Sequence, residues 1–311
     1  MRKTVQDILD IIREKGIEMI DFKMVDINGQ YRHVTIPAKN FSEDTLKSRI
    51  GFDASNYGYA VVEKSDMVFI PDPDTAVVDP FCDIPTLSMT GNAMIIDTPE
   101  NRPLPQYPRN IIKAAVEAMR ASGVADTMYI LPEFEFYLFD QVGWEISSRE
   151  ISASVDAQQS YWNSATEGLG VVVPKQKNYH IAKPFDISFE CRSEMCRHMN
   201  DATCNPYFCY AAILMAGLDG IKNQIDPHEN GWGPYDVNLY HLPEEEKAKL
   251  QGLPTSLDEA LNALEKDNDY LTADGVFPKA LIDNFIKMKR EECRQMAAIP
   301  HPAEFDKYYN L

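Results

Sequence analysis

The residues best suited to chemistry lie in the run Leu131-Pro132-Glu133-Phe134-Glu135-Phe136-Tyr137-Leu138-Phe139-Asp140. Read as a strand, it puts Glu133 and Glu135 on one face, about 7 Å apart, and Phe134, Phe136 and Leu138 on the other. Two rigidly held carboxylates suit a hard cation such as Mg²⁺ or Mn²⁺, which takes oxygen ligands. The same alternation also fits an antiparallel strand with one wet, charged face, and two ligands make an incomplete cage. No other segment is a self-contained motif. There is no Walker-type phosphate loop and no Gly-x-Gly-x-x-Gly, and Gly168-Leu169-Gly170 reads as a turn. The histidines at 33, 180, 198, 228, 241 and 301 never pair at metal-ligating spacing. Glu244-Glu245-Glu246 reads as the favourable acidic start of a helix.

The carboxylate pair needs elements to hold it. Upstream, Thr4 caps a helix whose Val5, Ile8, Leu9 and Ile12 recur at helical spacing and which Gly16 ends. Met19 to Ile27 and Gln30 to Ile36 flank Asn28-Gly29 and predict a hairpin. Short strands such as Met67 to Pro71 and Ala93 to Ile96 follow, punctuated by prolines. The segment Pro103-Leu104-Pro105-Gln106-Tyr107-Pro108 marks a boundary, dividing the chain into 1–102 and 103–311. Beyond it, Ile111, Ile112, Ala115, Ala118 and Met119 make a helix stripe that Gly123 ends. The strand Met128 to Asp140 comes next, and residues 141 to 185 read as loop with a few extended pieces. Helices are expected over 189–200, from Pro206 behind its cap Asn205 to Ile221, from the capping box Ser256-Leu257-Asp258-Glu259 to Lys266, and over 280–296. Nearly all strand signals precede residue 190, so the last third offers nothing to extend a sheet begun at Met128.

Bulk properties narrow the class. The chain has 311 residues, 44% of them apolar, with 30 basic against 48 acidic side chains for a net charge of −18. That balance argues against nucleic acid and anionic membrane as partners. The longest apolar stretch, Tyr207 to Leu218, is too short to span a bilayer. Asp7 and Asp10 break any export signal, so the cytoplasm, with its six cysteines reduced, is the expected compartment.

Several stretches together carry a resemblance. Pro132-Glu133-Phe134-Glu135-Phe136-Tyr137-Leu138-Phe139 resembles the first metal-ligand strand of bacterial type I glutamine synthetase (glutamate–ammonia ligase). Phe52-Asp53-Ala54-Ser55-Asn56 resembles the ammonium-site loop of that family's N-terminal domain, with Ala54 where glycine is usual. Lys64-Ser65-Asp66-Met67, Asp72-Pro73-Asp74-Thr75 and Val78-Asp79-Pro80-Phe81 resemble the strands after it. Asn205-Pro206-Tyr207-Phe208 and Ala216-Gly217-Leu218-Asp219-Gly220-Ile221 are similar to its late helix. Asn238-Leu239-Tyr240, with Leu242-Pro243, is similar to the segment of its regulatory tyrosine, and Ile299-Pro300-His301-Pro302 with Tyr308-Tyr309 to its tail.

The resemblance breaks after Ala202. There the family runs on through a segment with its His-His-Glu metal motif, its Asn-Gly-Ser-Gly-Met-His loop and the arginines that hold glutamate and phosphate. Here the sequence steps from Asp201-Ala202 to Thr203-Cys204-Asn205-Pro206. The resemblance therefore implies an α+β chain: a β-grasp-like N-terminal domain, then an incomplete catalytic domain with a helical C-terminal half. It implies ATP-dependent ligation of ammonia to L-glutamate through a γ-glutamyl phosphate. Glu133 and Glu135 would be ligands of Mg²⁺ or Mn²⁺, ATP a substrate, and Asp53 with Ser55 the ammonium side of a site shared between subunits of a homo-oligomeric double ring. Glu190, Arg192, Glu194 and Arg197 are the remaining candidates near the break and read as local helix pairs. Tyr240 is the adenylylation candidate, although His241 stands where adenylylated members have aspartate. The alternatives are an inactive shortened member that associates with full-length subunits, and a deletion product without function.

Overall fold

The computed structural model describes residues 3–47, 50–97, 99–133, 137–163, 179–198, 205–250 and 252–308. The chain opens with helix α1 (Val5–Lys15). Thr4 Oγ1 accepts from the Asp7 amide at 3.2 Å, and the Asp7 carboxylate accepts from the Thr4 amide at 2.6 Å. This reciprocal box satisfies two amides that a helix start leaves without partners. Gly16, at φ 61°, ends the helix in the left-handed conformation.

Strands β1 (Met19–Val25) and β2 (Tyr31–Pro37) form the expected hairpin, closed by the pair Val25–Tyr31. The turn is wider than Asn28-Gly29 alone predicts. Asp26 is the reason: its Oδ1 accepts from the amides of Asn28 at 3.0 Å and Gln30 at 2.9 Å. An aspartate that binds its own backbone in this way competes with strand pairing. Then follow α2 (Glu43–Lys47), β3 (Ile50–Asp53), β4 (Asp66–Pro71), β5 (Val77–Val78), β6 (Thr86–Ile95) and β7 (Arg102–Pro103). The sheet order is β2-β1-β6-β4-β3, with β1 and β6 parallel and the other pairs antiparallel.

Strand β6 organises this domain. Its first half, Thr86 to Thr90, pairs with β1, and its second half, Gly91 to Ile95, pairs with β4. The first half feeds a core of Ile8, Ile20, Phe22, Met24, Phe69, Leu87 and Met89. The second half contributes Ala93 to a second core built mainly by helices.

Those helices begin with α3 (Pro108–Ser122), which has proline in its first turn and Gly123 at φ 72° behind it. Next come the hairpin strands β8 (Gln141–Ile146) and β9 (Ile151–Asp156), and helix α4 (Phe189–His198). The C-terminal part holds α5 (Pro206–Lys222), α6 (Glu244–Lys247), α7 (Leu257–Lys266), α8 (Asp269–Thr272), α9 (Lys279–Ala297) and α10 (Pro302–Tyr308). The acidic run thus opens a helix as expected. Among the described residues no strand follows Asp156, and no helix is long and apolar enough to cross a membrane.

The chain forms two compact units: residues 1–131 with 203–293, and residues 132–202 with 294–311. The sequence boundary at 102/103 falls within the first. There Ile111, Ala115 and Met119 of α3 pack with Leu214 and Met215 of α5, Leu261 of α7 and Ile282 of α9. Asn205 ties the late helices to the N-terminal sheet. Its Oδ1 accepts from the Phe208 amide at 3.3 Å, capping α5. Its side-chain amide donates to the carbonyls of Asp26 at 3.2 Å and Ile27 at 3.5 Å. Asn205→Ala removes a cap and strips partners from two carbonyls; it is expected to cost about 2 kcal/mol, read as a lower denaturation midpoint at unchanged slope in urea.

Past residue 127 the described residues differ from one sequence expectation. The strand expected over Met128–Asp140 is not present in its described residues: 128–133 and 137–139 are irregular, and 134–136 lie outside the described residues. Tyr129 and Leu131 are 95% and 92% exposed. A strand exists only with a partner ladder. The strand that does form is later, in the β8–β9 hairpin, whose two arms are each other's partners from Gln141–Asp156 to Ile146–Ile151.

Candidate active site

Asp53 ends β3, where it pairs with Asp66 of β4. The chain then turns through one 3₁₀ turn, Ala54–Tyr57, closed by Gly58 at φ 81°. The Asp53 side chain caps this turn, accepting from the Ser55 amide at 2.8 Å. Ala54 is fully buried in the second core, and its amide donates to the Ser65 carbonyl at 2.8 Å. Its methyl, absent from the glycine usual in the family, therefore fills core. The Ser55 hydroxyl, then the Ser55 amide, then the nearby Ser65 side chain hold the Asp53 carboxyl below the usual carboxylate range. At neutral pH the group is a solvent-accessible anion on a fixed turn. Such a group attracts a small cation by charge-assisted hydrogen bonding. Pattern reading alone offered no route to Ser65; its signal is that β4 pairs with β3 and so brings residue 65 beside Asp53.

Glu133 lies in the irregular stretch of the second unit and is exposed. Glu135 lies outside the described residues. Asp53 and Glu133 belong to different compact units. Among the described residues no group of three His, Cys, Asp or Glu side chains could hold a metal ion. Of the carboxylate pair that suggested a divalent cation, only Glu133 is described.

Of the residues near the break, Arg192 and Glu190 pair locally. Arg192 binds Asp186, with Nη2 to Oδ2 at 2.5 Å and Nη1 to Oδ1 at 3.2 Å, and its Nη1 also donates to Ser188 Oγ at 2.7 Å. Glu190 pairs with Lys183. Both partners precede α4, so these side chains brace the helix start. Glu194 and Arg197 have no described side chains. Tyr240 is 88% exposed in a 3₁₀ turn, Leu239–His241, where Asn238 Oδ1 accepts from the Tyr240 amide at 3.0 Å.

Comparison with known proteins settles the family. The glutamine synthetase β-grasp domain profile matches residues 16–95, and the glutamine synthetase catalytic domain profile matches residues 105–201 and 197–308. The chain belongs to the glutamine synthetase family, a family of ligases of glutamine biosynthesis. The catalytic profile is matched in two pieces that overlap at residues 197–201. Glutamine synthetase of Aquifex aeolicus is 25% identical over an alignment of 471 positions, covering 99% of each chain, so the alignment is far longer than the 311 residues present. The 3-hydroxylaminophenol mutase of Cupriavidus pinatubonensis is 24% identical over 477 positions, covering 100% of each. Among solved structures, a Plasmodium falciparum glutamine synthetase superposes with a TM-score of 0.71 at 16% identity, covering 99% of each chain. That likeness supports the α+β fold with an N-terminal β-grasp domain.

Proposed function

We propose that this chain is a shortened glutamine synthetase subunit that performs no ligation alone and lends its Asp53 loop to a full-length neighbour. One observation carries the reading. Residues 1–131 and 203–293, which hold Asp53 and Ser55, pack as one body with Asn205 and Asn284 binding the N-terminal carbonyls, whereas Glu133 lies outside that body in exposed, irregular chain. The β-grasp domain over 1–102 and the shortened catalytic domain over 103–311 both contribute residues to that body. In the mixed assembly Asp53 binds ammonium and assists its deprotonation, and Ser55 orients it. The neighbour holds glutamate, ATP and Mg²⁺ or Mn²⁺, and γ-glutamyl phosphate is consumed by the ammonia so released. The compartment is the cytoplasm, and the assembly is an oligomeric ring. Exposed Tyr240 is the candidate for adenylylation there.

The test uses full-length glutamine synthetase from the same source, disabled at the position matching Asp53. Co-expressed with this chain, it is expected to yield a mixed oligomer with restored glutamine synthesis. Separate elution of the two chains, with no restored activity, contradicts the proposal.

A further inference from the structure

A cavity of about 430 Å³ opens in the first unit between α5, α7, α8 and α9. Its size falls in the range of small-ligand sites. Phe208, Ala212, Leu264, Phe277, Ile282 and Phe285 are among its lining, which is mainly apolar. Asn28, Asn205, Cys209, Tyr270 and Lys289 are the lining residues with polar side-chain atoms. Asn205 is fully engaged with backbone, as described above. Lys289 also lines the cavity, yet its side chain is only 21% exposed. Its Nζ lies 5.9 Å from the Phe285 ring centroid and donates to Glu292 Oε2 at 2.7 Å. One of three ammonium donors is thereby used, and the others are available at an apolar wall.

We propose that this cavity binds a single-tailed carboxylate, a medium-chain fatty acid anion, with its chain among the phenylalanines and its head on Lys289. An aliphatic tail gains by leaving water for a preformed apolar cleft. A carboxylate gains a charge-assisted bond from a lysine already partly withdrawn from solvent. A neutral lipid uses only the first, and a short polar anion only the second. The cavity lies wholly within one packed unit and involves none of Asp53, Ser55 or Glu133, so it is separate from the proposed ligation chemistry.

Cys209 lines the cavity and carries a free thiol, and Cys82 is an exposed free thiol away from the lining residues. The pair gives a readout that needs no mutation. Decanoate added to the full chain is expected to slow alkylation of Cys209 by iodoacetamide at least about fivefold once it exceeds its dissociation constant several times over, leaving Cys82 unchanged, as read by peptide mass spectrometry. Titration calorimetry is expected to give one saturable decanoate site. Ala212→Phe, which fills the cleft, is expected to abolish it at an unchanged circular dichroism spectrum. Lys289→Met is expected to weaken decanoate about tenfold and decanol less than twofold. Equal labelling of Cys209 with and without decanoate overturns the site, and so does decanoate binding that survives Ala212→Phe. Unchanged decanoate affinity in Lys289→Met overturns the assignment of an anionic ligand. If Ala212→Phe loses its fold, the thiol protection in the unmodified chain decides the matter alone.

Discussion

In the mixed oligomer, Asp53→Asn in the shortened chain is expected to cut the restored glutamine synthesis by about 10² to 10⁴, the range that a positioned general base contributes. The isostere keeps the cap of the 3₁₀ turn, since an amide oxygen still accepts from the Ser55 amide, whose bond to Asp53 is 2.8 Å. What it loses is the negative charge. The native carboxyl is held below its ordinary range by the Ser55 hydroxyl, the Ser55 amide and the nearby Ser65 side chain, so at pH 7 the native group is an anion and the variant is neutral. The sign for pH follows: a carboxyl with a lowered pKa stays charged as the solution is acidified below the usual carboxylate range. Restored activity should therefore not fall through protonation of Asp53 until well into acid. The check is steady-state glutamine formation at saturating ammonium and again at low ammonium. An equal yield of mixed oligomer from both variants separates chemistry from assembly. Unchanged turnover in Asp53→Asn removes the residue from the mechanism.

Gly91→Ala is expected to cost about 3 kcal/mol of stability, the upper part of the range for overpacking a closed core. Gly91 sits where β6 passes from pairing with β1 to pairing with β4, opposite Pro71. A Cβ built there stands 2.2 Å from the Ile70 carbonyl oxygen, 2.7 Å from the Phe69 ring and 2.8 Å from the Pro71 Cα. Two of these neighbours are backbone, which cannot swing aside as a side chain does. The two strands must part, and with them the cores fed by Leu87 and Met89 on one half and Ala93 on the other. Chemical denaturation should show the loss as a lower midpoint. A loss below 0.5 kcal/mol, within the ordinary range of a surface substitution, contradicts the close approach.

Helix ends were the most legible part of the chain, because their causes are local. Thr4 with Asp7, Asn205 before Pro206, and Gly123 after α3 each act within a few residues. The reach of Asn205 back to Asp26 and Ile27 was not legible, since the separation of 179 residues carries no local pattern. Strands divide the same way. The β1–β2 hairpin announced itself through its turn, and the width of that turn followed from Asp26, a residue whose side chain competes for backbone amides. The alternation around Glu133 promised a strand, yet alternation only prepares a surface for pairing, and the neighbours are supplied elsewhere in the chain. Asp53 and Ser55 came from the family resemblance rather than from spacing, because one aspartate before a turn is common. Ser65 and the cavity beside Lys289 depend on contacts across the fold and had no signal in the sequence.

The central claim is that the Asp53 half of the site persists and that the chain cannot complete the reaction alone. Phosphate release by the purified chain, given ATP, Mg²⁺, glutamate and ammonium, tests it most directly. The account predicts no release that depends on both glutamate and ammonium, from a sample whose cooperative unfolding shows it to be folded, and no difference on Glu133→Ala. Release that requires both substrates and disappears in Glu133→Ala would contradict it, and would mean that the single chain assembles a metal site around that carboxylate.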